Sequence, residues 1–120
     1  KDADIFVDPI LELGAHVAPT GLSFYDGDMF PSKFKNTLFM TLHGSWNRSR
    51  KVGYKVIAVH FDEKGELLYQ KDFITGWLQK KDGRELVLGR PAAVLQKSDG
   101  SILISDDGAN IIYKVTYQKT

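Results

Sequence analysis

The feature that most constrains the fold is a succession of short β-prone runs, each ended by a turn signal. Val, Ile, Thr and aromatic residues fill the runs, and Gly, Pro or Asp-Gly marks the breaks. No stretch keeps a helical period of about 3.6 residues, since Gly83 and scattered charges interrupt the nearest one, 77–88. We therefore expect an all-β chain with antiparallel strands. The predicted strands are 10–13, 20–25, 37–42, 53–61, 67–74, 91–95, 101–105 and 111–117.

The composition excludes several classes of protein. Sixteen Lys and Arg against fifteen Asp and Glu give a net charge of +1, which argues against binding of nucleic acid or membrane surfaces through bulk charge. The Lys-rich run 79–82 is accordingly interpreted as a solvated loop. The chain has no Cys, so disulfides, thiol nucleophiles and thiolate metal sites are excluded. No apolar run approaches the roughly 18 residues of a membrane span.

An internal repeat organises the predicted strands. Leu38–Thr41, a polar loop and Tyr54-Lys55-Val56 match Ile102–Ser105, a polar loop and Tyr113-Lys114-Val115, and a Pro-initiated strand precedes each copy. Repeated four-stranded antiparallel sheets are typical of β-propeller blades; a single β-sandwich is the alternative. We expect residues 1–120 to form a single β-propeller fragment, with one blade at about 17–76 and a partial second blade at about 88–118 that lacks its outer strand. The run 10–13 would then be an isolated strand.

The loop between the second and third strands of the first blade carries more binding chemistry than a turn needs. Within 43–50 lie an imidazole, an indole, an amide and two guanidinium groups. In a blade, this loop and the connection between successive blades emerge on the same face, where pockets form. The residues predicted to converge on this rim are His16, His43, Trp46, Asn47, Arg48, Arg90, Asp106 and Asp107.

The same residues also have structural interpretations. His16 could bond a backbone carbonyl, His43 could be a satisfied core histidine, and Trp46 could pack between blades. Arg48 and Arg90 could pair with Asp106 or Asp107, although the planar fork of Arg90 favours a bound anion. The run 106–108 is typical of a tight loop. We find no Ser–His–Asp order, phosphate loop or HExxH spacing, and three scattered His residues are a weak metal signal, so no metal site is predicted.

Several motifs resemble one family when they are read in order. They are 15–25 (AHVAPTGLSFY), 43–49 (HGSWNRS), 53–56 (GYKV), 72–77 (DFITGW), 89–91 (GRP) and 105–108 (SDDG). Together they resemble the C-terminal part of the glucose/sorbosone dehydrogenase family, most closely its L-sorbosone dehydrogenase-like branch. The resemblance implies a six-bladed β-propeller and a periplasmic or secreted sugar dehydrogenase that uses pyrroloquinoline quinone (PQQ).

The resemblance also implies roles for the rim residues. Arg90 matches an arginine that contacts the quinone, and His16 lies in a segment that lines the same pocket. No lysine stands in the loop before Lys51 where glucose-oxidising members have one, so Asn47 or Arg48 would replace it. A second family arginine is Ala92 here, which indicates a divergent branch. The remaining rim residues are predicted to contact the sugar: His43, Trp46, Asp106 and Asp107.

The family's general base and the carbonyl ligands of its calcium lie in an earlier blade, so this chain is predicted to contain no catalytic residue. We expect it to associate with the rest of a propeller or with itself. Three copies could close a six-bladed ring if the run 10–13 supplied a neighbour's missing strand. The alternative functions are a ligand-binding propeller and a lactonase-like hydrolase without PQQ, which would need acidic ligands on the rim.

Overall fold

The computed structural model describes residues 6–46 and 48–119, and this part of the chain is all-β, as predicted. It contains a 3₁₀ turn, Ser32–Phe34, and no α-helix. The strands are β1 (Pro19–Phe24), β2 (Leu38–Leu42), β3 (Lys55–Phe61), β4 (Leu67–Ile74), β5 (Leu78–Lys81), β6 (Arg84–Val87), β7 (Pro91–Gln96), β8 (Ile102–Asp106) and β9 (Ile111–Val115).

The first four strands form one antiparallel sheet in the order β1-β2-β3-β4. The central strands β2 and β3 are buried along nearly their whole length, which explains why both are continuous apolar runs rather than alternating ones. β4 lies at the edge and is mostly exposed. The predicted strands 20–25, 37–42, 53–61 and 67–74 are confirmed, with small shifts at their ends.

The second sheet has the order β7-β8-β9 and confirms the predicted strands 91–95, 101–105 and 111–117. Its register supports the internal repeat. The pairing of β1 with β2 shifts between Pro19 and Gly21, and the pairing of β7 with β8 shifts at the equivalent place, between Pro91 and Ala93. Each copy of the repeat therefore begins with the same irregularity.

The two sheets pack together where β7 of the second sheet meets β1 and β2 of the first. The hydroxyls of Thr20 and Thr41 both donate to the carbonyl oxygen of Ala92, at 2.6 and 2.9 Å. Gly21 makes this approach possible, since a Cβ there would lie 2.8 Å from the Ala93 Cα. The buried Tyr25 hydroxyl donates to the Gly100 carbonyl at 2.7 Å. The main core cluster draws on both sheets, with Phe39 and Val56 from the first and Val94 and Ile104 from the second.

The prediction of a strand at 10–13 is wrong. This segment has no strand structure; Leu11 and Leu13 pack against Met40, Leu42, Ile57 and Val59 on the outer face of the first sheet. Their apolar side chains explain the strand-like pattern. Because they cover their own sheet, they give no support to the three-copy ring in which this run would complete a neighbour's blade.

The prediction of a solvated loop at 79–82 is also wrong. The segment is a β-hairpin, β5 paired with β6. Its two turn residues, Asp82 and Gly83, have φ of 53° and 74°, the positive values that a tight hairpin turn requires. Asp-Gly was the local signal for this hairpin. Trp77 is 7% exposed and anchors the base of the hairpin.

The two larger sheets have the antiparallel order expected of propeller blades, and the described part of the second lacks a fourth strand. They do not themselves form a closed ring, so a six-bladed propeller and a single propeller unit over 1–120 stay predictions. Across residues 6–46 and 48–119, no helix is long and apolar enough to cross a membrane.

Candidate functional site

The loop between β2 and β3, residues 43–54, is folded back on itself. The Ser45 amide donates to the Val52 carbonyl at 3.0 Å, and the Ser45 hydroxyl accepts from the Val52 amide at 3.1 Å. Gly44 and Gly53 have φ of 104° and 88°, and a Cβ at Gly53 would lie 2.8 Å from the Gly44 Cα. The loop can close only with glycine at these positions.

The segment before β1 lies beside this loop, as predicted. The amides of His43 and Gly44 donate to the carbonyls of Ala18 and Val17, both at 2.9 Å. Arg48 Nη1 donates to the Ala15 carbonyl at 3.2 Å. His16 is exposed with φ of 65°. His16 and Arg48 are therefore on neighbouring segments of the same rim.

The Arg90 side chain holds the loop between β2 and β3 by donating hydrogen bonds to the loop's backbone carbonyls. Its Nε donates to the His43 carbonyl at 3.1 Å, and its Nη2 donates to the carbonyls of Gly44 and Ser45 at 2.6 and 3.5 Å. The guanidinium also lies over the Tyr54 ring, 5.3 Å from its centroid, in cation–π contact. Nη1 donates to no described residue. Much of the fork predicted to bind an anion is thus engaged by the protein.

His43 and Asp107 join the two predicted binding loops. His43 Nε2 lies 2.7 Å from Asp107 Oδ1. Because an ionised carboxylate only accepts hydrogen bonds, this contact fixes the proton of a neutral His43 on Nε2 and leaves Nδ1 as an acceptor. The His43 side chain is 19% exposed and that of Asp107 66%. The predicted convergence of these two loops is therefore seen in the structure.

Asp106 has a different environment from its neighbour. It is 2% exposed. Its Oδ1 accepts from the amides of Arg90, Gly108 and Ala109 at 2.7, 3.0 and 2.9 Å, and its Oδ2 accepts from the Tyr113 hydroxyl at 2.9 Å. Burial acts to raise the pKa of Asp106, but these hydrogen bonds lower it below the ordinary value. These contacts give Asp106 a structural role, and its predicted contact with the sugar stays a prediction.

The two tyrosines of the repeat support the binding loops, a role that was not predicted. The Tyr54 hydroxyl donates to the Ser45 carbonyl, and the Tyr113 hydroxyl donates to Asp106. Each Tyr of the repeated Tyr-Lys-Val tripeptide thus supports the loop that precedes its own strand. The repeat itself was the signal for this role. The Trp77 indole N–H donates to the Tyr113 hydroxyl at 3.3 Å and so helps to hold the tyrosine that bonds Asp106.

Trp46 is 80% exposed. This argues against the interpretation of Trp46 as a packing anchor within the described sheets. Arg48 is exposed as well. Asn47 lies outside the described residues. Trp46 and Arg48 thus remain available to a flat or anionic ligand, while Arg90 and Asp106 shape the loops beneath.

A profile of the TrAA12-like family matches residues 2–118. The chain belongs to the TrAA12-like family. A Borreliella burgdorferi relative of uncharacterised function is 44% identical over 115 residues, which are 95% of this chain and 30% of that protein. A pyrroloquinoline quinone-dependent pyranose dehydrogenase of Coprinopsis cinerea is 42% identical over 53 residues, 44% of this chain and 6% of that enzyme. The TrAA12-like chain thus spans less than a third of these relatives.

Solved structures show the same fold. The holo form of the Coprinopsis cinerea pyranose dehydrogenase PQQ domain matches 85% of the TrAA12-like chain with a TM-score of 0.63. The matched part is 27% of that domain's chain. A Trichoderma reesei structure from Carbohydrate-Active Enzymes Family AA12 matches 91% with a TM-score of 0.64, over 27% of that chain. Identity is 24% for both. The predicted relation to PQQ dehydrogenases is confirmed at this level, whereas the sorbosone dehydrogenase branch is not specifically supported.

The structure also bears on metal binding. Within the part of the TrAA12-like chain that is described, no three His, Cys, Asp or Glu side chains come together as a metal site would require. The prediction that the calcium ligands lie elsewhere in a parent protein stays a prediction.

Proposed function

We propose that this chain is the C-terminal part of a secreted or periplasmic PQQ-dependent sugar dehydrogenase and that its rim binds the quinone and the sugar. The observation that carries the proposal is the 2.7 Å contact between His43 and Asp107, which brings a polarised imidazole to the junction of the two loops. Family membership and the PQQ-dependent pyranose dehydrogenase among its relatives support the choice of reaction.

The residues of the rim fit a flat, anionic quinone. PQQ is an aromatic ring system that carries carboxylates, so it calls for a stacking surface and for cations. Trp46 offers an exposed indole face. Arg48 is exposed and directs one nitrogen to Ala15, which leaves N–H groups for a carboxylate. Arg90 has Nη1 without a described acceptor and adds fixed positive charge. Of the two arginines, Arg48 therefore has more donors available than Arg90.

The sugar would be held by the pair of His43 and Asp107. Asp107 keeps the His43 proton on Nε2, so that Nδ1 can accept a hydrogen bond from a sugar hydroxyl. The exposed side of the Asp107 carboxylate can accept another. When bound, the quinone supplies the acceptor for the hydride; the protein supplies binding, orientation and electrostatics. The general base is expected outside this chain, by the family resemblance.

The competing hydrolase has less support. A lactonase-like site needs carboxylates that converge on a metal or water, and of the two candidates Asp106 already spends both oxygens on protein donors. A ligand-binding propeller would keep Trp46 and Arg48 but would have no affinity for a quinone. Quinone binding therefore discriminates between the proposed enzyme and a binding module.

The test uses the full-length protein that contains this chain. PQQ and calcium are added, PQQ binding is followed by quenching of Trp fluorescence, and dye reduction is followed with a panel of aldoses. Arg48→Gln is expected to weaken PQQ binding about tenfold, the effect of roughly 1.4 kcal/mol. Lys64→Gln, in the exposed turn between β3 and β4, is the matched control. No saturable quenching by PQQ in the unmodified protein would overturn the proposal.

A further inference from the structure

A basic groove lies between the binding loop and the β5–β6 hairpin. It has a volume of about 730 Å³, and its walls include Ser49, Arg50, Lys51, Lys80, Arg84 and Glu85. The Lys51 amide ties the two walls together, since it donates to both oxygens of the Glu85 carboxylate at 3.1 and 3.3 Å. The binding loop thus carries His43 and Trp46 near its start, and its residues 49–51 form one wall of this groove.

The charge of the groove is not balanced. Its lining holds four cationic side chains and one carboxylate, and the carboxylate already accepts from a backbone amide. In the described structure, Lys35, Lys55 and Lys114 form ion pairs with Asp28, Asp72 and Asp99. Arg50, Lys80 and Arg84 make no such pair with any described residue. Cations gathered without protein partners in a concave surface favour an anion there.

The hairpin register places Lys80 and Arg84 on opposite strands. Lys80 pairs across the hairpin with Glu85 on one face, and Lys81 pairs with Arg84 on the other face. The base of the hairpin is fixed by the buried Trp77 and by the Leu88 amide, which donates to the Trp77 carbonyl at 2.7 Å. The hairpin is therefore a positioned wall and not the solvated loop that the sequence predicted.

We propose that this groove is a subsite for the negatively charged group, carboxylate or sulfate, of an acidic saccharide. This inference rests on the proposed function and gives its substrate class, because the same loop joins the sugar-binding rim to the groove. Two guanidinium groups, of Arg50 and Arg84, offer planar forks that match a carboxylate or sulfate bidentately. With one sugar unit of a saccharide bound at the rim, the neighbouring acidic unit would extend toward the groove.

The experiment measures binding to the full-length protein by calorimetry. The probes are trigalacturonate, the neutral trisaccharide of galactose, and inorganic phosphate. We expect trigalacturonate to bind at least about tenfold more tightly than the neutral trisaccharide, and addition of salt to reduce this preference. The double variant Arg50→Gln, Arg84→Gln should lose the preference and keep the affinity for the neutral sugar. Lys64→Gln, a charge removed from a distant turn, should change neither.

Three results would overturn the inference: equal affinity for the acidic and neutral trisaccharides, equal losses in Lys64→Gln and the double variant, or phosphate that binds as tightly as trigalacturonate. Melting temperatures of the variants exclude unfolding as the cause. If trigalacturonate binds through Arg50 and Arg84 but no sugar reduces the dye in the presence of PQQ, the groove stands and the proposed oxidation fails. If neutral sugars are oxidised but trigalacturonate is not bound in preference to the neutral trisaccharide, the proposed oxidation stands and the inference about the groove fails.

Discussion

His43 Nε2 and Asp107 Oδ1 lie 2.7 Å apart although 64 residues separate them in the chain. The two residues belong to equivalent loops of the repeat, one after β2 and the other after β8. The pair therefore depends on the packing of one sheet against the other, and a ligand that bound to it would meet residues of both.

Asp107→Ala should weaken sugar binding without weakening the fold. The exposed carboxylate contributes little to stability, since even a fully charged pair at the surface is worth only about 0–1 kcal/mol. Its loss frees the His43 proton to move between the two ring nitrogens, so Nδ1 is no longer a fixed acceptor. We expect KM for the sugar to rise about tenfold with the melting temperature nearly unchanged. Glu63→Ala, exposed at the turn after β3, is the control; equal KM values in the two variants would contradict the role of Asp107.

Arg90→Lys should loosen the binding loop. A lysine cannot reproduce the hydrogen bonds from Nε and Nη2 to the carbonyls of His43 and Gly44, nor the planar contact with Tyr54. Loss of these contacts should lower the free energy of unfolding by about 2 kcal/mol. Urea denaturation measures this loss, and hydrogen exchange should speed up in residues 43–53 before the rest of the sheet. Slow, unchanged exchange in this loop would show that other contacts hold it.

Most of the strands could be predicted because their signals are local. Alternation, β-branched residues and turn residues mark each run, and sequence neighbours pair in both large sheets. In both failed predictions, the hydrophobicity of the segment was a misleading sign of whether it forms a strand. Leu11 and Leu13 resemble a strand but serve only to cover one, and the charges of Lys80 and Lys81 concealed a hairpin whose Asp-Gly turn was visible.

The position of the site residues on one rim could be predicted, but the atoms that each side chain contacts could not. Strand order alone places His43, Arg90 and Asp107 on one rim. Whether a guanidinium faces a ligand or a backbone carbonyl depends on atoms 46 residues away, as in the bond from Arg90 to Gly44. The same holds for Asp106, whose burial depends on how Gly89 and Tyr113 approach it. Local sequence carries no information on such distances.

Gly89→Ala should destabilise the protein strongly. A Cβ at this position would overlap the Asp106 carboxylate and lie 2.8 Å from Trp77 Cδ1, and the carboxylate cannot withdraw without breaking its bonds to three amides and Tyr113. We expect a loss of about 3 kcal/mol or more, as for other overpacked sites. Gly14→Ala is the control, because nothing lies within 4 Å of its Cβ position. Thermal unfolding of both variants decides; similar values would show that the Asp106 loop adapts.

His60→Gln should make stability less dependent on pH. His60 is buried, stacks on Tyr69 with centroids 4.5 Å apart, and has its Nδ1 3.2 Å from the Thr37 hydroxyl. Burial lowers the pKa of His60, and the nearby charges of Lys33 and Lys71 lower it further.

A lowered folded pKa means that the unfolded chain takes up the His60 proton first, near pH 6.5. Stability is thus complete above this pH and falls as the pH drops toward the folded pKa. We expect the urea midpoint of the wild-type protein to fall between pH 7 and pH 5 by more than that of His60→Gln. The variant should be less stable at pH 7, since it loses the stacked ring. Parallel curves for the two proteins would assign the acid sensitivity to other groups.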